Sequence, residues 1–169
     1  MIEKKFIDLE ESAKSIEARV YLIKDVEVYY DTSMLSLIKR FAHKTTDYNT
    51  HLLVVKSDEG ESSENKSCDF LAICWPNDGD GGLEKANKWA EKKSLKTISS
   101  RELVSICRKK IEIYWDLNFF DIIKLVSTNP ILGQKYLTAQ IEAESDVIVY
   151  PERVSNMTTG DHWFVFRVE

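Results

Sequence analysis

A chain of 169 residues, 43% hydrophobic and with only three prolines, can bury roughly 70% of its unfolded surface in one globular domain spanning 1–169, without staples. No apolar run approaches the ~20 residues that cross a bilayer, and the amino terminus, MIEKKFIDLEESAK, has no hydrophobic leader. With three cysteines, an odd number, these features exclude a membrane span, a secretory signal and a fully paired disulfide framework, and they predict a cytoplasmic protein with reduced thiols and no cofactor.

The net charge of −5 is unevenly spread. Between Glu84 and Lys110 nine Lys or Arg face three acids, an excess of +6 that leaves −11 for the remainder. Lysine outnumbers arginine 17 to 6, which fits an AT-rich coding sequence of the kind common in phage or mobile elements.

Leu9, Ala13, Ile16 and Val20 recur at helical spacing behind Asp8 and Glu11, predicting a first helix over 9–18. Alternation from Val20 to Tyr30 predicts a bent strand or a hairpin turning at Lys24-Asp25, and Asp31-Thr32-Ser33 can cap a helix with the stripe Met34, Leu37, Ile38 and Phe41. Leu52 to Val55 reads as a buried strand within Tyr48 to Lys56. The polar stretch 57–67, SDEGESSENKS, then reads as a mobile acidic loop, the tip of a long hairpin that returns through the strand Phe70 to Trp75. Pro76 and the turn residues Asn77 to Gly82 end that strand, and Leu83, Ala86 and Ala90 open a helix.

Ser99 and Glu102 form a capping box ahead of the stripe Leu103, Ile106, Cys107 and Ile111, which Trp115 and Asp116 interrupt. A further helix is predicted through Phe119, Ile122, Ile123 and Val126, stopping before Asn129-Pro130. Tyr136 to Ile141, Val147 to Tyr150 and Trp163 to Val168 read as strands. The expected fold is therefore α+β, a mainly antiparallel sheet with four or five helices packed on it.

No GxSxG, HExxH or CxxC occurs, and no repeat of 20–50 residues. A thiolate needs a nearby imidazole, and the imidazole an orienting acid, which makes Cys74 or Cys68 with His162 and Asp161 the candidate set for a cysteine-dependent hydrolase. The run Gly160 to Val165 resembles the histidine-bearing strand of papain-like cysteine hydrolases. Those enzymes place the cysteine at a helix amino terminus, whereas Cys74 lies late in an apolar strand.

Asp78 and Asp80 lie among glycines as in a calcium loop, but position five is Gly82 and no Glu stands at twelve, so turn chemistry is preferred and no metal is expected. His43 and His51 match no ligand spacing. The basic segment 85–110, with Lys85, Lys88, Lys92 and Lys96 and with Trp89 for stacking, offers a nucleic-acid alternative, which the acidic remainder disfavours.

Acidic loops on a compact scaffold without a catalytic motif describe a binding module better than an enzyme. Asp58, Glu59, Glu61 and Glu64 in one loop, and Glu142, Glu144, Asp146 and Tyr150 near another, are the expected contacts for a partner protein with a basic surface. Immunity proteins and phage-encoded host modulators neutralise toxins or enzymes by such occlusion, which makes inhibition the leading function by analogy of size and charge.

Overall fold

The computed structural model describes residues 2–42, 44–45, 64–76, 82–117, 122–142, 146–157 and 162–169. In chain order these form α1 (Ile2–Lys14), β1 (Arg19–Val28), α2 (Met34–Phe41), β2 (Lys44–Thr45), β3 (Lys66–Cys74), α3 (Gly82–Lys92) and β4 (Lys96–Thr97). Next come α4 (Ser100–Ile106), a 3-10 turn (Cys107–Lys109), α5 (Lys110–Asp116), β5 (Ile122–Leu132), β6 (Lys135–Glu142), β7 (Val147–Arg153), a second 3-10 turn (Val154–Asn156) and β8 (His162–Val168). No helix among the described residues is long and apolar enough to cross a membrane.

One sheet runs β1-β3-β8-β5-β6-β7-β2, with β4 also paired to β8. The fold is α+β, as expected, but the sheet is mixed: β5–β8 and β2–β7 are parallel, interrupting the antiparallel ladders. The reason is β5. Ile122, Ile123 and Val126 fit a helical stripe as well as a strand, yet the segment is extended, with Ile123 and Leu125 on one face of the sheet and Val126 on the other. A β-branched run is at home between two partner strands, and the predicted helix over 119–126 is overturned.

β3, expected to be a central strand, is an interior strand lying second from one end of the sheet, and its apolar run is buried from Phe70 to Cys74. Its neighbours are β1 and β8. Both its edges are taken by these two strands; the hairpin partner expected within 48–56 lies outside the described residues. Lys66 and Ser67, expected in the acidic loop, already belong to β3; residues 57–63 lie outside the described set.

Two cores follow from the pleat. Phe70, Ala72 and Cys74 face a layer made of α2, α4 and α5, while Leu71 and Ile73 face α1 and α3 together with Phe164 and Phe166. The first helix starts earlier than its spacing predicts and ends at Lys14, with Ala18 N–H closing onto the Ala13 carbonyl at 2.9 Å. Trp75 Nε1 donates to the Ile16 carbonyl at 3.1 Å and Trp89 Nε1 to Ser12 Oγ at 3.3 Å, tying α1 to β3 and α3.

The capping box is present as read: Ser99 Oγ accepts from Glu102 N–H and Glu102 Oε2 accepts from Ser99 N–H at 2.8 Å. Arg167 donates to the other carboxylate oxygen of Glu102 at 2.9 Å, fastening α4 to β8. Thr128 Oγ1 accepts from Ile98 N–H at 2.9 Å and donates to the Val165 carbonyl at 2.8 Å, so one buried hydroxyl joins three segments.

Candidate functional site

β6 and β7 meet in register, Thr138 opposite Tyr150 and Gln140 opposite Ile148, while Lys124 of β5 stands between Gln140 and His162. Their even-numbered side chains share the sheet face that α1 and α3 cover elsewhere. His162, 1% exposed, contacts Glu152 Oε2 through Nε2 at 3.0 Å, and Thr138 Oγ1 donates to the same oxygen at 2.9 Å. Beside them Tyr150 donates to Gln140 Oε1 at 3.2 Å, and Gln140 Nε2 donates to Glu142 at 2.8 Å. Each buried polar atom in these contacts has a partner, which holds the strands in register.

This network links Glu142 and Tyr150, two of the residues proposed from sequence for a partner, through Gln140, but it does not bring a thiol to His162. Cys74 and Cys68 pack on the opposite face, with the core of α2, α4 and α5. Burial pushes the Cys74 thiol up to about 12 and raises Cys68 as well, the reverse of the activation a nucleophile needs. Asp161, Asp78, Asp80, His43 and His51 lie outside the described residues. Among the described residues no group of three His, Cys, Asp or Glu side chains could hold a metal.

The two acidic patches are not one surface. Glu64 and Asn65 stand at the start of β3, where Lys66 faces Val28, whereas Glu142 and Asp146 close the β6–β7 hairpin at the other end of the sheet and on its far side. Asp58, Glu59, Glu61 and Glu144 lie outside the described residues. The basic segment divides likewise. Lys85, Lys88 and Lys92 ride on α3 over one face, and Arg108, Lys109 and Lys110 follow α4 over the other. Lys88 is paired with Glu84 at 2.7 Å and Lys96 with Glu169 at 2.6 Å, ordinary exposed ion pairs.

A different surface emerges on α5. Seven large apolar side chains are exposed among the described residues, among them Ile7 and Ile16 on and just after α1 and Ile111 and Trp115 on α5. Trp115 is 68% exposed and Ile111 58%, one helical turn apart. Sequence spacing placed Ile111 in the core stripe and used Trp115 only as a break. The 3-10 turn at Cys107–Lys109 explains the difference. Three residues advancing at three per turn instead of 3.6 rotate the following helix by about 60°. As a result Ile113 and Tyr114 face inward and Ile111 faces out.

α5 and the 3-10 turn before it are tied to β1 and to Tyr29 just beyond it. At the upper end, Tyr21 donates to Asp116 Oδ2 at 2.6 Å, and burial with this bond pushes the phenol well above its usual range. At the lower end, Arg108 donates to Glu27 at 3.0 Å and to the Tyr29 hydroxyl at 2.9 Å, while Tyr29 donates to Glu27 at 2.7 Å. The Arg40 guanidinium lies 5.3 Å from the Tyr29 ring centre and 5.2 Å from that of Phe41. The Tyr29 hydroxyl first, then Arg108 and Arg40, hold the exposed Glu27 carboxyl below its ordinary range.

Along this strand the ladder to β3 is regular from Arg19 to Ile23 and then breaks before Val26, where Asp25 takes φ 51° and its N–H turns to Asp69 at 2.8 Å. Comparison with protein-family models, with curated proteins and with solved structures finds no match to this chain.

Proposed function

We propose that the protein is a binding module that acts by covering a surface of a partner protein, as an inhibitor of immunity-protein or host-modulator type does. The observation that carries this reading is the Ile111–Trp115 pair, two large apolar side chains exposed one helical turn apart on α5. An exposed tryptophan is costly to leave in water and is among the side chains that most often anchor protein interfaces. The thiols support the same reading, because Cys74 is buried on the sheet face opposite His162 and its thiol is pushed up rather than activated. The three free cysteines suit a reduced compartment, and cytoplasmic action is part of the proposal.

The surface differs from the acidic loops favoured by sequence. Contacts at Glu64 and at Glu142, Asp146 and Tyr150 would require a partner reaching round both ends of the sheet. The Ile111–Trp115 pair instead offers two neighbouring apolar anchors on one helix. Affinity capture of the tagged chain from its native lysate, run beside a Trp115→Glu variant, tests the proposal. One stoichiometric partner retained by the parent and lost by the variant is the expected result. A partner retained equally by both moves the contact elsewhere, and no retained partner rejects the binding reading.

A further inference from the structure

Resting on that reading, we propose that the partner presents an acidic segment whose carboxylates seat on the Arg40 and Arg108 guanidinium groups, at a platform formed by Tyr29, just beyond β1, and Phe41, the last residue of α2. Three observations converge. First, the platform is rigid. The Tyr29 and Phe41 rings lie 5.8 Å apart with 32° between their planes, and both pack against the core of α2, α4 and α5. The buried Arg101 fastens the backbone here, donating to the Tyr29 carbonyl at 2.7 Å and to the Thr32 carbonyl.

Second, both guanidinium groups are exposed yet held. Arg40 is exposed, and its guanidinium is 5.3 Å from the Tyr29 ring centre and 5.2 Å from that of Phe41. Arg108 is half-exposed and bonds through one nitrogen, Nη1, to Glu27 at 3.0 Å and to the Tyr29 hydroxyl at 2.9 Å. A guanidinium carries five N–H donors, so a group bonded through one nitrogen can take a second carboxylate as well. Side chains already held against rings or a hydroxyl give up little freedom when they bind.

Third, Glu27 shows what this place accepts. Its half-exposed carboxylate takes one bond from the Tyr29 hydroxyl at 2.7 Å and another from Arg108. The Tyr29 hydroxyl first, and then Arg108 and Arg40, hold it in the charged form, so this carboxylate and both guanidinium groups lie within one another's field. Two guanidinium groups to this one carboxylate leave the platform cationic, on a chain whose net charge is −5. An acidic segment is drawn to this point and turned away from the acidic remainder, which fixes how the partner sits. A nucleic acid would meet the same cations without a stacking surface, because Arg40 already lies over both rings.

The test uses the full chain with fluorescent peptides of one glycine-serine sequence, interrupted at the same positions by glutamate, by glutamine or by lysine. The glutamate peptide is expected to bind about tenfold more tightly than the glutamine peptide, with the lysine peptide weakest, to lose affinity as salt is raised, and to shift the Arg40 and Arg108 Nε–H signals. Arg40→Gln with Arg108→Gln should remove that preference while the circular dichroism is unchanged. Glu27→Gln, which keeps both arginines and removes the competing carboxylate, should tighten the glutamate peptide by about threefold. Equal binding of the glutamate and glutamine peptides, a preference that survives the double arginine change, or no gain from Glu27→Gln overturns the proposal. So does an oligothymidine of matched charge that binds more tightly than the glutamate peptide and shifts the same arginines, since the platform would then serve nucleic acid. Capture separates this site from the reading beneath it: a partner lost by Trp115→Glu but kept in full by the double arginine variant retains the binding reading and removes the acidic segment, whereas the peptide preference without any captured partner keeps the site and rejects that reading.

Discussion

At the scale of single residues, the side chains that carry charge or reactivity are mostly spent on the framework. Cys74 and Cys107 are buried and their thiols pushed up to about 12, while Cys68 is only half-buried. A disulfide reagent at pH 8 should therefore label Cys68 first and slowly, with the other two reacting only on unfolding; three equally fast thiols would contradict the burial. Glu102 serves both as N3 acceptor of the capping box and as partner of Arg167. Glu102→Ala removes both bonds and leaves Arg167 short of a carboxylate, which should cost about 2–4 kcal/mol in chemical denaturation.

Tyr21 supplies a pH signature of the same kind. Its folded pKa is raised, so the stability it contributes is present below the ordinary phenol range and is lost as pH rises through that range and beyond. Stability should fall in alkali, and Tyr21→Phe should flatten that fall while costing about 1 kcal/mol at neutral pH. An alkaline profile identical to that of the parent would show that the Tyr21–Asp116 bond is not populated in solution.

At the scale of elements, the connections decide what the periodicity leaves open. A single 3-10 turn between α4 and α5 rotates Ile111 from the expected core stripe to the surface. Thr128 is the comparable device on the sheet, joining Ile98 to Val165 across β5. Thr128→Val keeps the shape and orphans a buried N–H and a buried carbonyl, a loss of about 2–3 kcal/mol expected in thermal or urea unfolding. Val20–Ile23, paired on one side only among the described residues, should exchange half of its amides much faster than Phe70–Ile73, whose two sides are both paired.

At the scale of the whole molecule, one interior strand, β3, serves two cores. Phe70 and Leu71 are adjacent in sequence, fully buried, and point into different helix layers. Phe70→Ala and Leu71→Ala should each cost about 3–5 kcal/mol. Because they share no packing partners across the sheet, their double variant should be additive within about 0.5 kcal/mol. Strong coupling would mean that the layers are not independent.

Much of this architecture was legible in the amino-acid order, because it follows from local rules. The apolar run at Phe70, the capping box at Ser99, the stripe of α2 and the strands at Tyr136, Val147 and Trp163 each depend on neighbours a few residues away, and each is found where spacing puts it. What tertiary structure alone decided is relational. Ile122 to Val126 satisfies two periods at once, and only the neighbouring strands select the extended one. Whether Cys74 can meet His162 depends on the parity of two strands distant in sequence, and parity puts them on opposite faces. Exposure of Trp115 depends on a rotation introduced by three residues before its helix. Sequence periodicity reports which side chains must be buried; strand order, face and helix phase, set by the packing of distant segments, determine which of the remainder are left to meet a partner.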